Sequence, residues 1–452
     1  MGRTFRGGIH PQGHKELSRE VPLQRFETKG EIVLPLGQGI GKPAKPLVKK
    51  DDVVLTGQII AEADGFISSN IACSCSGKVK GIEKRRTLSG VSVECIVIEN
   101  DGLYTPVEGM GVYEDVGTLT NEEVIARVKR AGIVGLGGAG FPTHVKLAPR
   151  DPSAIRYIIA NGAECEPYIT CNDQLMRSNA EGIIEGLSII LRLFPHALGV
   201  VAIEDNKPEA IEAMRQAALK LNADNRISIL PLQTKYPPGG ERSLIQVIAG
   251  VDFPVTKLPA DVGCIVDNVS TIYAIWRAVA YNETLYSDFI TITGDAVRNP
   301  ANFIVPNGTC VAELVEACGG MKEGVEPKKI LAGGPMMGIA MSSLNVPVVK
   351  TTNAITILAE DGAEKAEKQQ TNCLHCGRCT TVCPQGLLPQ LMADAIHVGD
   401  LERYEKKLYG LECIACGSCT YVCPAKRPLT QIFKQTKAEI MAQKRAKAGG
   451  GK

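Results

Sequence analysis

Two runs of cysteine and one of glycine carry the reactive chemistry of this 452-residue chain. Cys373, Cys376, Cys379 and Cys383, followed by Pro384, are echoed by Cys413, Cys416, Cys419 and Cys423, followed by Pro424. Each run fits C-x-x-C-x-x-C-x-x-x-C-P. Two-residue gaps on a tight turn let three thiolates meet one face of an iron–sulfur cubane, and the fourth cysteine of each run then belongs to the other cluster. The spacing predicts two [4Fe–4S] centres, one on Cys373, Cys376, Cys379 and Cys423, the other on Cys413, Cys416, Cys419 and Cys383. Paired C-x-x-C units also suit zinc, but four cysteines packed this densely, twice, each closed by proline, favour cubanes. Such centres bind no substrate and pass single electrons. His375, inside the first run, reads as a loop residue, because the cysteines already complete the site.

The glycine run is "GLGGAGFP", Gly135 to Pro142. Gly135, Gly137, Gly138 and Gly140 let backbone approach a phosphate and aim N–H groups at it, although glycine turns without ligands are common. The spacing is neither the dinucleotide fingerprint nor a Walker loop. Lys146 follows, then the apolar strand "IRYIIA" and at once "NGAECEP" (Asn161 to Pro167), which sets polar groups where a parallel sheet opens to ligand. In extended geometry Glu164 and Glu166 point to one face. "YPPGGE" (Tyr236 to Glu241) and "DNVSTIYAIWRAV" (Asp267 to Val279) come later.

These groups need several domains to hold them. Hydrophobic content of 44% and regular Gly/Pro punctuation are those of a globular protein, and 452 residues exceed one compact core. With 50 basic and 49 acidic residues there is no global field to attract nucleic acid. The N-terminus shows no signal-peptide stretch, and the most apolar segment, 183–203, is broken by Glu185, Arg192 and Pro195. A cytoplasmic protein is expected, touching a membrane only peripherally through a partner. Sixteen cysteines without an export signal argue for metal clusters rather than disulfides.

Short β-like stretches from about Glu31 to Asn100 predict a small barrel or sandwich. Their order resembles the biotinyl/lipoyl carrier fold, but no lysine stands near Ser68 to Ala72, so the module reads as structural. From Thr120, "TNEEVIARVKRAG", "AEGIIEGLSIILRLF", "LGVVAIED" and "KPEAIEAMRQAALKL" alternate helix and strand, the mark of a parallel α/β domain. Strands with one helix follow and resemble the soluble-ligand-binding β-grasp (SLBB-like) module. Its "GGPMMG" reads as a turn with core methionines. His10 and His14 belong to an extended N-terminal arm rather than a metal pair.

The four segments around the glycine loop resemble, in order, the flavin-bearing NADH-oxidising subunit of respiratory complex I, with patterns GRGGAGFPTGxK, NADExEP, YxxGEE and NNVxT. Leu136 stands where that family has arginine, and Gly240 where it has the first glutamate of GEE. The doubled cysteine runs, the opening "GGIHPQGHK" and the N-terminal barrel make the whole chain similar to the C subunits of Rnf complexes, the ferredoxin:NAD⁺ oxidoreductases of bacterial membranes.

The resemblance implies that the loop glycines, Lys146, Asn161, Asn268 and Thr271 hold FMN, with Gly239 among the cofactor-binding residues. It places Phe141 beside the nicotinamide nucleotide and Glu164, Glu166 and Glu241 on its hydroxyls, with NADH preferred over NADPH. It also implies that two clusters exchange electrons with other subunits of a membrane-bound complex on the cytoplasmic side, ferredoxin being met indirectly. The expected fold is multidomain α+β: an arm (1–30), a barrel-sandwich (31–115), a flavin/nucleotide α/β domain (116–287), a β-grasp module (288–350), a linker (351–370), a two-cluster ferredoxin-like helical domain (371–435) and a basic tail (436–452). Alternatives are an electron-wire scaffold with a decayed nucleotide site, or the NADH-linked module of a soluble hydrogenase or formate dehydrogenase.

Overall fold

The computed structural model describes residues 3–222 and 224–449. The parallel sheet of the α/β domain runs in the order Ile227–Leu232, Leu198–Glu204, Tyr157–Asn161, Cys264–Asn268. Tyr157–Asn161 comes first in sequence, two strands build outward on one side of it, and Cys264–Asn268 is added on the other. The chain therefore reverses direction between these two neighbours. At such a switch point the connecting helices diverge to opposite faces and leave a cleft beyond the carboxyl ends of the strands. The register places Asn161 opposite Asn268 at the lip of that cleft. Buried Ile158, Val201 and Ile265 anchor the strands, and Ile183, Leu187, Ile272 and Ile275 of the covering helices pack on the sheet.

The N-terminal module is two antiparallel sheets closed over Ile32, Leu34, Ile60, Ile71, Ile96 and Ile98. Its 63–70 hairpin tip, which a swinging-arm carrier would leave free, is docked instead. Asn70 donates to the Arg130 carbonyl, and its own carbonyl accepts from Lys350 Nζ at 2.6 Å. Lys350 is buried and also donates to the Gly132 carbonyl at 2.7 Å, so one side-chain amine staples barrel, α/β domain and β-grasp module together.

The β-grasp sheet differs from the sequence expectation at both ends. Leu23–Arg25 of the arm joins it as a parallel edge strand on Ala301–Pro306. Ala354–Leu358, inside the stretch read as a linker, lies between Ser287–Thr293 and Lys329–Ala332. The alternation of "AITIL" with threonine is a buried-strand pattern that the charged residues after it obscured. The rest of that stretch includes a helix, Gly362–Lys368, capped by Asp361. The basic tail continues the helix Leu429–Gly449, and the end of the tail lies outside the described residues.

In the cysteine domain, helices Pro389–His397 and Leu429–Gly449 bury Met392, Leu429, Phe433 and Tyr404 as a small core under two equivalent cysteine loops. No helix of the described residues is long and apolar enough to cross a membrane.

Candidate functional site

The glycine loop closes on itself through the Gly135 N–H to the Phe141 carbonyl at 2.9 Å. Thr271, buried in the first turn of helix Val269–Ala280, accepts the Leu136 N–H through Oγ1 at 2.9 Å. Thr271 thus holds the loop from behind. The Leu136 side chain is buried in the α/β core, so the change from arginine leaves the loop backbone in place. The barrel pins the other side: Ile40 N–H donates to the Ala139 carbonyl, and Gly39 lies so close to Gly140 that a Cβ on either would stand 2.6–2.8 Å from the other's backbone. Phe141 is half-buried at the end of the loop.

Lys146, in the short helix Thr143–Lys146, turns its Nζ to Asp267 Oδ1 at 3.0 Å and to the Val266 carbonyl at 2.8 Å. Burial alone would lower the ammonium's pKa, but the carboxylates of Asp267 and Glu241 outweigh it and hold the pKa above its usual value. A fixed cation therefore stands beside the glycine loop, 3.8 Å from where a Cβ on Gly135 would be. Asn161 closes the cleft by donating to the Gly239 carbonyl at 2.9 Å, and Asn268 caps helix Val269–Ala280 by accepting the Ser270 N–H at 2.8 Å. Glu241 is exposed at the first position of helix Glu241–Ala249. The groups assembled here are a glycine cradle open above Gly138, a permanent cation and the starts of two helices. They fit the phosphate and polyol end of a flavin nucleotide.

Glu164 and Glu166 do not share an extended face. Glu164 sits at φ 48° and folds back, accepting the N–H groups of Asn172 at 2.6 Å and Asp173 at 3.3 Å at the start of helix Cys171–Ser178. Glu166 reaches the other way and accepts the N–H groups of Met336 and Met337 at 3.1 and 2.8 Å. Beneath them Lys15 donates to the carbonyls of Glu164, Glu166 and Ile169, and Lys207, buried with Glu204, donates to the Ala163 carbonyl. The "GGPMMG" turn is accordingly a partner of Glu166. Of its two methionines, expected in a core, Met337 is exposed, whereas Met336 is half-buried against the Ile9, Tyr236 and Cys416 cluster and rests on the second cysteine loop at Gly417. Lys15 closes the "GGIHPQGHK" segment, but nothing in that segment marks it for this role, and Lys207 stands in no motif at all.

Burial pushes Glu164 to about 7, against the pull of Lys15 and Lys207. Burial also pushes Glu166 to about 7, against the two N–H donors from Met336 and Met337. Both values lie above those of the unfolded chain, so the folded protein binds extra protons between the ordinary glutamate range and pH 7. The stability this confers is complete below that range and lost as pH rises through 7. Glu166→Gln is expected to flatten the fall in Tm between pH 5 and 7, whatever its effect on the absolute value. A wild-type slope in the variant would show that Glu166 takes up no proton there.

Each cysteine run makes a coil, a left-handed glycine (Gly377 at φ 74°, Gly417 at 85°) and one helical turn. The fold pairs the runs crosswise. Cys413, Cys416 and Cys419 line one cavity with Cys383, and Cys373, Cys376 and Cys379 line another with Cys423. Among the described residues no three His, Cys, Asp or Glu side chains close on one point as a lone ion requires. Four sulfurs spread around a cavity suit a cubane better than tetrahedral zinc. Backbone N–H groups of His375, Leu387 and Ala415 point at the sulfurs of Cys373, Cys383 and Cys413, each at 3.4 Å, and such contacts tune cluster potential.

The two cavities differ in depth. Cys416 is buried and Cys376 exposed. Tyr236 packs with Ile9, Cys165, Met336 and Cys416, and its hydroxyl donates to the Cys416 carbonyl at 2.8 Å. The arm threads through this junction: Ile9 exchanges two backbone hydrogen bonds with Tyr236, and the Gly8 N–H donates to the Val382 carbonyl. Arg242 adds an ion pair to Glu412 at 2.8 Å. A Cβ at position 240 would stand 3.9 Å from Ile414 of the second cysteine loop, an ordinary contact, and Gly240 has φ -63°, so nothing in the structure explains glycine where complex I has a glutamate.

Family models match in the order expected: the RnfC barrel sandwich hybrid domain over residues 3–103, the Nuo51 FMN-binding domain over 128–277, the SLBB domain over 289–340 and a 4Fe–4S dicluster domain over 365–424. The C subunit of the Na⁺-translocating ferredoxin:NAD⁺ oxidoreductase complex of Acetobacterium woodii is 41% identical over 442 residues, covering 98% of both chains. The chain belongs to this family of C subunits. The proton-translocating counterpart from Clostridium ljungdahlii is 41% identical, covering 98% of this chain and 95% of its own. The C subunit of the ion-translocating oxidoreductase complex of Rhodobacter capsulatus is 44% identical over 88% of this chain and 76% of its own. Among solved structures an NAD⁺-reducing [NiFe]-hydrogenase aligns with a TM-score of 0.50 at 18% identity, covering 74% of this chain and 68% of its own, a likeness of fold alone. The family descriptions agree with the expected flavin and paired clusters and with the four-module α+β architecture.

Proposed function

We propose that this C subunit is the NAD(H)-interacting flavoprotein of an Rnf-type ferredoxin:NAD⁺ oxidoreductase, carrying electrons between NAD(H), FMN and two [4Fe–4S] clusters. FMN, when bound, supplies the interchange between hydride and single electrons that neither nicotinamide nor cubane provides alone. The glycine loop, Lys146, Asn161, Gly239, Asn268 and Thr271 bind and orient it. Glu241, exposed at the mouth, is the carboxylate best placed for nucleotide hydroxyls, because Glu164 and Glu166 are already engaged by backbone N–H groups.

One observation carries the reading. The cleft and the buried cluster cavity share a wall: the Tyr236–Glu241 segment gives its Gly239 carbonyl to Asn161 on one side and its Tyr236 hydroxyl to Cys416 on the other. Electrons then pass between the cleft, the Cys413/Cys416/Cys419/Cys383 cluster and the outer Cys373/Cys376/Cys379/Cys423 cluster, which meets the rest of the complex beside exposed Leu374. The protein docks peripherally on the cytoplasmic side of the membrane, and ion translocation belongs to its partners.

The internal use of Glu164 and Glu166 favours one other reading, a wire without nucleotide chemistry. NADH separates the two: the purified protein should retain FMN, bleach it on NADH addition and then show reduced clusters by EPR. Retained FMN that NADH leaves oxidised would establish the wire.

A further inference from the structure

Asn353 lies in the stretch that charge and composition mark as a linker, yet the fold carries it to the flavin cleft. The chain from Lys350 to Asn353 runs along the glycine loop. Thr351 Cγ2 stands 2.8 Å from where a Cβ on Gly140 would be, and Asn353 Nδ2 stands 3.5 Å from the same point on Gly137. Asn268 Nδ2 approaches that point on Gly137 from another side at 3.8 Å. Two carboxamides, one from the α/β domain and one from the β-grasp module, therefore flank the glycine whose backbone forms the cradle.

Asn353 is held rigidly by everything except its side-chain amide. Its carbonyl accepts the Thr291 N–H at 3.0 Å and the Cys171 thiol at 3.4 Å, and the next residue enters the sheet in register with Thr291. Upstream, Val349 and Thr352 bond to each other twice, and the Lys350 N–H donates to Gln38. Neither the Asn353 nor the Asn268 side-chain NH₂ donates to a protein acceptor among the described residues, and both side chains are half-buried. A donor carried on a fixed backbone, making no protein bond and standing beside the glycine of the cradle, is free to meet an oxygen-rich ligand there.

We infer that Asn353 is a flavin-binding residue, its carboxamide N–H donating to the phosphate end of FMN beside Gly137, so that the β-grasp module completes a site otherwise built by the α/β domain. This rests on the flavin reading above.

The test is FMN binding to the full chain, freed of flavin and titrated by fluorescence quenching. Asn353→Ala should raise the FMN Kd about tenfold, the loss of one ligand hydrogen bond. Asn353→Asp keeps the shape but presents a carboxylate to phosphate, and should raise it about a hundredfold. Both flavin-free variants should keep the wild-type Tm, since the amide makes no protein bond. Riboflavin, lacking the phosphate, should feel the aspartate much less. An FMN Kd within twofold of wild type in both variants, with Asn268→Ala weakened, would overturn the role of Asn353 and leave the flavin site standing. Equal losses for riboflavin and FMN would overturn the phosphate assignment. Wild-type chain that binds no FMN would instead sink the flavin reading itself.

Discussion

Cys383→Ala should strip iron from the buried cluster, leave the outer one intact and lower NADH-driven electron delivery to the rest of the complex by orders of magnitude, while NADH still reduces bound FMN. By sequence Cys383 belongs to the first run, but the fold sets it in the cavity of Cys413, Cys416 and Cys419, one residue after Val382 of the Tyr236 junction. The outer cluster then survives without a supply. Cys423→Ala is the mirror case: the outer cavity loses its fourth thiol, and the buried cluster should still take electrons from NADH. Iron analysis with EPR after NADH addition distinguishes the two variants, since only Cys423→Ala should show an NADH-reduced cluster. If Cys383→Ala removed the first-run cluster instead, the crossed ligation would be wrong, and with it the order of electron transfer.

The crossed pairing was legible in the sequence because cubane ligation imposes a local spacing, and local spacing survives whatever the rest of the chain does. The glycine loop and Asn161 were legible for a similar reason, since the chain's stop after "IRYIIA" is marked by a polar run, whereas Asn268 came only with the resemblance to the complex I subunit. Glu164 and Glu166 were misread because alternation predicts a common face only in extended chain. At φ 48° Glu164 leaves that geometry, and no neighbouring residue type announces the turn. Asn353 was hidden by the charged helix after it, which lent its character to a strand of alternating Ile and Thr. The arm was legible as an arm, but its contacts were not. Ile9 and Lys15 work only through contacts with Tyr236 and the 164–169 loop, and periodicity cannot report partners more than a hundred residues away.

Lys146→Ala is expected to do two separable things. Asp267 is fully buried at its side chain, with Oδ2 unpartnered among the described residues, so its charge depends on the Lys146 ammonium 3.0 Å away. Removing one partner of such a pair leaves an uncompensated buried carboxylate, a loss of about 3 kcal/mol at the lower end for buried pairs, since Lys146 keeps some solvent. Flavin retention should also fall by about one to two orders of magnitude, the size of a charge-assisted contact of about 1.5–3 kcal/mol to phosphate. The double variant Lys146→Met with Asp267→Asn tells these apart. Both charges are gone, so the folded chain should recover most of its Tm. If Lys146 serves FMN as well as Asp267, the recovered protein should still release flavin on dialysis. If the lysine serves only the carboxylate, stability and flavin occupancy should return together, and the phosphate must then be held by the glycine-loop backbone and the two asparagines alone.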